Sequence, residues 1–504
     1  MTRRSSRLRP RWAVCAAGFV VLGAGIGFGA GPSGAGTVRT DPAHAGTSAT
    51  GAQATLRSAA TFSGPITVGH VIEPLSVQPS GLAAHRYVEQ EFFASGTASD
   101  FTATSSPSDG RWAITAGTSA PYRTRILVRR PSDPAHFSGT VVVEWMNVTA
   151  GEAAPDWDYL NPALMEAGDA WVGVSVQAVA VDGGTPLLGS LGGGAAKGLV
   201  QQEPARYGSL HHPGDRYALD LFDQIGLGLR APHGAVVLGP LRPRHVVAVG
   251  ESQSAFYLTT YADALQPLSH AFDGIFIHSR DGSGAPLNSN SVTSGSLAGA
   301  LRIRTDLHVP VFMFETQTDV TFLGYAPAQQ PNTAHIRTWE VAGTSHADSY
   351  LVGSFAPMLG CKSEINMGPQ HEVAEAAFAD FVAWVVHGTP PPAPAPFRFQ
   401  DARTATLALD SHGNVLGGVR TPAVDVPDST LSQVAAPGSS VLCTLFGSTT
   451  PFSPAALHSL YRSKATYVTK YAADLNRAIA ARFLLPSERA SLLAHAQQVQ
   501  FPAH

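Results

Sequence analysis

VVAVGESQSAFYL, residues 246–258, is the stretch from which the rest of the chain is read. Val246, Val247, Ala248 and Val249 form an apolar run that meets Gly250, Glu251 and Ser252 and passes directly into a helix-like segment. A serine between a buried strand and a helix sits on a sharp, strained turn at the strand's carboxyl end, with its hydroxyl clear of the sheet. The backbone doubles back there, so the residues two places to either side must be small. Gly250 satisfies that demand, and Ser254 stands where a second glycine is usual. A Gly-x-Ser-x-small string is common by chance; the strand before it and the helix after it make this one specific.

A serine hydroxyl is a weak nucleophile at neutral pH and needs a base within hydrogen-bond reach, plus a third group to orient that base. In this type of elbow the chain order is serine, acid, histidine. Downstream, VPVFMFETQTDV at 309–320 reads as a strand whose exit carries Glu315 and Asp319, and TWEVAGTSHADSY at 338–350 as a later strand followed by His346 among small residues. Both exits fall where open α/β sheets bind ligands. The pattern predicts Ser252 as nucleophile, His346 as base and Asp319 as orienting acid, with Glu315 as the competing carboxylate. Asp348 is expected to cap the next helix, and His278 falls before any acid. His211, His212 and Asp215 lack a further ligand pattern, so no metal and no cofactor is expected. A tetrahedral oxyanion needs preorganised donors. The backbone N–H of Gln253 is the first candidate, and the second comes from EWMNVTAGEAAPDW at 144–157, where Val148 is chosen over its neighbours Asn147 and Thr149.

Working outward, RTRILVRRP at 123–131 and GTVVVEWMNV at 139–148 read as neighbouring strands, NPALMEAG at 161–168 as a helix and AWVGVSVQAV at 170–179 as a strand. DRYALDLFDQIGLGLR at 215–230 is helical, FDGIFIHS at 272–279 is another strand, and EVAEAAFADFVAWVVHG at 372–388 is a closing helix. Short apolar strands alternating with helices imply a parallel sheet covered on both faces. The stiff TPPPAPAP at 389–396 then leads into a hairpin turning at SHGN and two or three helices over 453–498. The Gly-rich stretch 182–198 and the segment 280–306 are expected to border the pocket.

The chain has 504 residues, 44% hydrophobic and 14% charged, which gives a globular protein with ample core. A formal charge of −4 provides no basic footprint for nucleic acid. Arg3, Arg4, Arg7, Arg9 and Arg11 precede the apolar WAVCAAGFVVLGAGIGFGA at 12–30, and AHA follows at 43–45, the order of an export signal. The apolar run approaches spanning length, so an uncleaved anchor is the alternative. Cys15 lies in this segment. Cys361 and Cys443 remain, an even count that permits one disulfide in an oxidising compartment, with two free buried thiols as the alternative. The expected division is a signal peptide over 1–45, a flexible leader over 46–61, a core over 62–388 and an extension over 389–504 packed on it.

IEPLS, YVEQEFFASGTA, PYRTRILVRRP, GTVVVEWMNVT, PARYGSLHHPGD, VGESQSA, TDV, AGTSHAD, CKSEINMGPQH, GGVRTP and CTLFG, spread over residues 72–447, resemble the secreted bacterial α/β-hydrolase domain proteins. The resemblance implies the α/β-hydrolase fold and a Ser-Asp-His hydrolase carried by Ser252, Asp319 and His346. It implies that the extension belongs to the same unit, and it supplies no substrate. The expectation is an exported serine hydrolase, first of all a carboxylic-ester hydrolase, acting on a small-molecule ester or acyl substrate. Acyltransferase or amidase chemistry with the same triad, or a noncatalytic binding or surface protein on this scaffold, are the alternatives. N-terminal sequencing of secreted protein is expected to begin near Gly46; membrane-bound protein retaining Met1 would show an anchor instead.

Overall fold

The computed structural model describes residues 58–76, 81–187, 194–290 and 300–501. The segment 1–45, most of the leader, and parts of 182–198 and 280–306 lie outside the described residues. Ten strands form one sheet: β1 Thr61–Ser63, β2 Tyr87–Ser105, β3 Ala113–Pro131, β4 Thr140–Trp145, β5 Ala170–Val174, β6 His233–Gly234, β7 His245–Glu251, β8 Gly274–His278, β9 Val311–Thr316 and β10 Ile336–Val341. Their order is β10-β9-β8-β7-β4-β5-β3-β2-β1-β6. From β10 to β5 every pairing is parallel, whereas β3 is antiparallel to both β5 and β2. This is the α/β-hydrolase fold, with helices on both faces of a mostly parallel sheet.

The period-2 alternation of the central strands explains the two cores. Val246 and Ala248 of β7 face one cluster, and Val247 and Val249 face the other. On the first face, α2 (Ala218–Arg230) and α3 (Gln253–Ala264) pack through Phe222, Tyr257 and Tyr261; Trp145 stacks on Tyr257 with ring centroids 4.8 Å apart. On the second, α1 (Pro155–Ala167) and α6 (Gln370–His387) cover Phe276, which is ringed by Phe312, Phe378 and Phe381 at 5.2, 5.5 and 5.6 Å. Burial of side chains this large contributes about 1.5–3 kcal/mol each. Among the described residues no helix is long and apolar enough to cross a membrane.

The structure departs from the sequence expectations at identifiable places. β3 and β4 are not neighbours, because the β4-α1-β5 crossover returns the chain on the β3 side and inserts β5 between them. α1 begins at Pro155, ahead of the expected 161, because the Glu144 carboxylate accepts the N–H groups of Asp156 and Trp157 at 3.0 and 2.8 Å and caps the helix from a distant strand. Its end is a left-handed glycine, Gly168 at φ 79°, where a Cβ would lie 1.9 Å from the His136 carbonyl oxygen. β2 and β3 are 19 residues each, far longer than the 123–131 run implied, and their outer halves are rich in Ser, Thr and Ala.

Past β10 the C-terminal part covers what would be an open strand edge. Val419 pairs in parallel with Val341, its N–H donating to the Glu340 carbonyl at 2.7 Å. The SHGN turn forms as expected, closed by an antiparallel bridge between Leu409 and Val415. Three helices follow, α7 (Pro454–Tyr461), α8 (Lys464–Ala480) and α9 (Arg489–Gln498). Tyr467, Tyr471 and Leu475 of α8 join the second core, and Phe483 meets Trp339 edge-on at 5.2 Å. Cys361 and Cys443 form a disulfide with a Cα–Cα distance of 5.6 Å, closing a loop of sequence separation 82.

The turn that holds Cys443 also braces the loop of His346. Ala347 N–H donates to the Leu445 carbonyl at 3.1 Å, and Ser345 Oγ donates to the Phe446 carbonyl at 3.0 Å. Loop-closure entropy for a cross-link of this span is worth roughly 4 kcal/mol at most. Replacing Cys361 and Cys443 together by serine is therefore expected to lower the unfolding free energy by about 2–4 kcal/mol in urea titrations; an unchanged midpoint would show that the bridge contributes nothing.

Candidate active site

The β7–α3 junction places Ser252 at φ 59°, ψ −117°, a left-handed conformation that a non-glycine residue rarely holds. Hydrogen bonds fix it there: Ser252 N–H donates to the His278 carbonyl at 2.9 Å, and the Ser252 carbonyl accepts the N–H of Phe256 at 3.1 Å. A Cβ on residue 250 would lie 2.9 Å from Ser254 Cβ and 3.0 Å from Leu258 Cδ1, which is why Gly250 is needed. Ser254 is accommodated in place of the usual glycine, fully buried and with its hydroxyl lacking a hydrogen-bond partner among the described residues. That orphan group carries a cost of about 1–3 kcal/mol.

Ser252 Oγ lies 2.8 Å from His346 Nε2, and His346 Nδ1 lies 2.6 Å from Asp319 Oδ1. With Nδ1–H donating to the carboxylate, Nε2 is the acceptor facing the serine hydroxyl. Asp319 is held in turn by a capping box at the start of α4 (Gln317–Thr321): its Oδ2 accepts the Thr316 N–H at 2.7 Å, and its own N–H donates to Thr316 Oγ1 at 3.3 Å. Burial alone pushes the Asp319 carboxyl up, but the His346 imidazole and the hydrogen bonds bring it below its ordinary value. Burial lowers His346, yet Asp319, and after it Glu251 and Asp281, raise it above its ordinary value.

The competing residues are occupied or buried elsewhere. Glu315 shares a face with Val311 and Met313 and is driven into the core, where both carboxyl oxygens lack partners among the described residues and burial pushes the group well above its ordinary value. Asp348 caps α5 (Ser349–Val352), accepting from Leu351 N–H and from Tyr159 OH at 3.0 Å each. His278 is fully buried with Nδ1 2.8 Å from Asp156 Oδ1. His212 uses both ring nitrogens on backbone, Nε2 with the Val176 carbonyl at 2.7 Å and Nδ1 with Gly214 N–H at 3.1 Å. Asp215 accepts Ala178 N–H at 2.7 Å. Among the described residues no three His, Cys, Asp or Glu side chains converge as metal ligands.

The loop after β4 approaches the elbow through Asn147, a role the sequence did not disclose. Its Nδ2 donates to the Glu251 carbonyl at 3.1 Å and its Oδ1 accepts the Thr149 N–H at 2.7 Å. Asn147 also exchanges backbone hydrogen bonds with Ala153 at 2.9 and 2.8 Å. Val148, between these two fixed points, and Gln253, the first residue of α3, have backbone N–H groups with no hydrogen-bond acceptor among the described residues.

The alpha/beta hydrolase domain family model matches residues 62–494, and the chain belongs to that family. Among solved structures, a Klebsiella pneumoniae protein assigned as a dienelactone hydrolase is similar at 12% identity, over 58% of this chain and 99% of that one, with a TM-score of 0.30. A glucuronoyl esterase from Solibacter usitatus is 9% identical over 58% of this chain and 88% of its own, with a TM-score of 0.27. A serine hydrolase without a lid from Xanthomonas campestris is 10% identical over 52% of this chain and 90% of its own, also with a TM-score of 0.27. No curated protein matches.

The two carboxylates four residues apart give a direct test of the acid. With Asp319 as the orienting acid, Asp319→Asn is expected to lower turnover by ~10⁴-fold, whereas Glu315→Gln, which changes a core carboxyl that burial already pushes up, is expected to stay within about tenfold. Steady-state kinetics on both folded variants decides it, and a larger loss in Glu315→Gln would reassign the acid.

Proposed function

We propose that the protein is an exported serine hydrolase that cleaves small-molecule carboxylic esters through an acyl-enzyme, using Ser252, His346 and Asp319. The continuous hydrogen-bonded line from Ser252 Oγ through His346 to Asp319, 2.8 and 2.6 Å, carries this reading. Ser252 Oγ attacks the acyl carbon while its proton passes to His346 Nε2. The imidazolium returns that proton to the departing alkoxide. Asp319 keeps the ring oriented and offsets its positive charge without taking the proton. Developing charge on the carbonyl oxygen is met in this reading by the N–H groups of Gln253 and Val148, since donors fixed in a fold act without reorganisation. Water, activated by the same histidine, hydrolyses the ester formed on Ser252.

Export is supported by the basic, apolar and small-residue order of 1–45 and by the disulfide between Cys361 and Cys443, a bond that persists in oxidising compartments. In this reading the core over 62–388 and the extension over 389–504 act as one unit, since the extension supports the loop of the base.

The test is a panel of acyl esters of increasing chain length assayed with wild type and Ser252→Ala. Removing the nucleophile is expected to lower turnover by up to ~10⁶-fold, with circular dichroism unchanged. Since His346 must be neutral to accept the proton and its pKa is raised, activity is expected at alkaline pH and to be lost as the pH falls through that pKa. Retained turnover in Ser252→Ala would reject the nucleophile.

A further inference from the structure

The residue immediately before the nucleophile is a buried carboxylate with little to do in the fold. Glu251 ends β7 in the row of Val247 and Val249, and its side chain is 5% exposed. One carboxylate oxygen, Oε1, lies 3.6 Å from His346 Nε2, the same nitrogen that faces Ser252 Oγ at 2.8 Å. The other, Oε2, lies 3.4 Å from Asn147 Nδ2, which also holds the Glu251 carbonyl. Among the described residues, His346 is the only group with which Glu251 comes within ion-pair distance.

We propose that Glu251 is a positioning residue acting on His346, a second carboxylate that stabilises the imidazolium formed when Ser252 gives up its proton. The proposal rests on the Ser252-His346-Asp319 reading. Asp319 addresses Nδ1, whereas Glu251 approaches the opposite nitrogen, where the transferred proton arrives. The serine proton goes to Nε2 and from there to the leaving alkoxide, and Glu251 exchanges no proton with substrate. At 3.6 Å it is too far to compete with Ser252 as a hydrogen-bond partner in the resting site and close enough to attract the cation, in surroundings that screen poorly.

The other groups facing Glu251 are accounted for. Across the β7–β8 register it meets His278, which is bonded to Asp156 of α1, and Asp319 and Tyr159 lie close enough to act on it through charge. Burial pushes the Glu251 carboxyl up, while His346 and then His278 pull it down and Asp156 and Asp319 raise it, to about 7 overall. Two sites that interact this closely titrate as a pair. Each charged form supports the other, so loss of the Glu251 charge lowers the pH at which His346 becomes protonated.

A fluorophosphonate probe reads this without knowledge of the substrate, through the rate of Ser252 labelling against pH. An opposite charge raises the pKa of an imidazole, so Glu251→Gln is expected to move the acid limb down by about one pH unit. The plateau rate is expected to fall about tenfold. Glu251→Asp, with its charge drawn back by one methylene, should lie between Gln and wild type. A Gln variant with the wild-type limb overturns the proposal. Should Gln not fold, an Asp variant with an unchanged limb and plateau overturns it equally. Wild type that is not labelled at Ser252 would reject the triad reading and this inference together, whereas normal labelling with an unmoved limb rejects the role of Glu251 alone.

Discussion

Holding Ser252 at φ 59° costs an L-residue on the order of 1–3 kcal/mol, and the surrounding fold must supply it. β7 and α3 are almost entirely buried on either side of the serine, so neither end of the turn can relax. The turn also dictates composition: glycine at 250, a small residue at 254, and strands on both sides of β7 that pack against the elbow from β4 and β8. Because β4, β7, β8, β9 and β10 run parallel, their carboxyl ends deliver the Asn147 loop, Ser252, Asp319 and His346 to one edge of the sheet.

The histidine arm depends on a different part of the chain. His346 sits in a loop whose neighbours Ser345 and Ala347 are hydrogen-bonded to the turn around Leu445 and Phe446, and the Cys361–Cys443 bridge secures that turn. Gln317, at the start of α4, adds a further tie by accepting the Gly343 N–H at 2.6 Å and donating to Gln433 Oε1 at 3.0 Å. The extension thus covers the β10 edge and also supports the loop of His346, which gives a physical reason for it to accompany the core.

Punctuation and order made much of this legible in the sequence. Apolar runs ending in Gly250-Glu251-Ser252, in Thr316 through Asp319, and in Gly343 through His346 each mark a strand exit, and the geometry brings those three exits together. What stayed hidden is long-range. The start of α1 is set by Glu144, a residue on β4 with no local capping pattern to advertise it. The insertion of β5 between β3 and β4 follows from a crossover, which strand propensity does not encode. The outer halves of β2 and β3 are too polar and small to stand out as strands. Asn147 carries no periodic signal, and its hydrogen bond to the Glu251 carbonyl exists only where the loop after β4 meets the elbow.

The central claim is that Ser252 becomes acylated during turnover. Rapid quenching of the protein with an activated acyl ester, followed by peptide mass spectrometry, addresses it directly. The account predicts the acyl group on the peptide containing Ser252 and its absence from Asp319→Asn quenched at the same time point. An acyl group on another residue, or turnover of the ester with no covalent adduct at any time point, would contradict it.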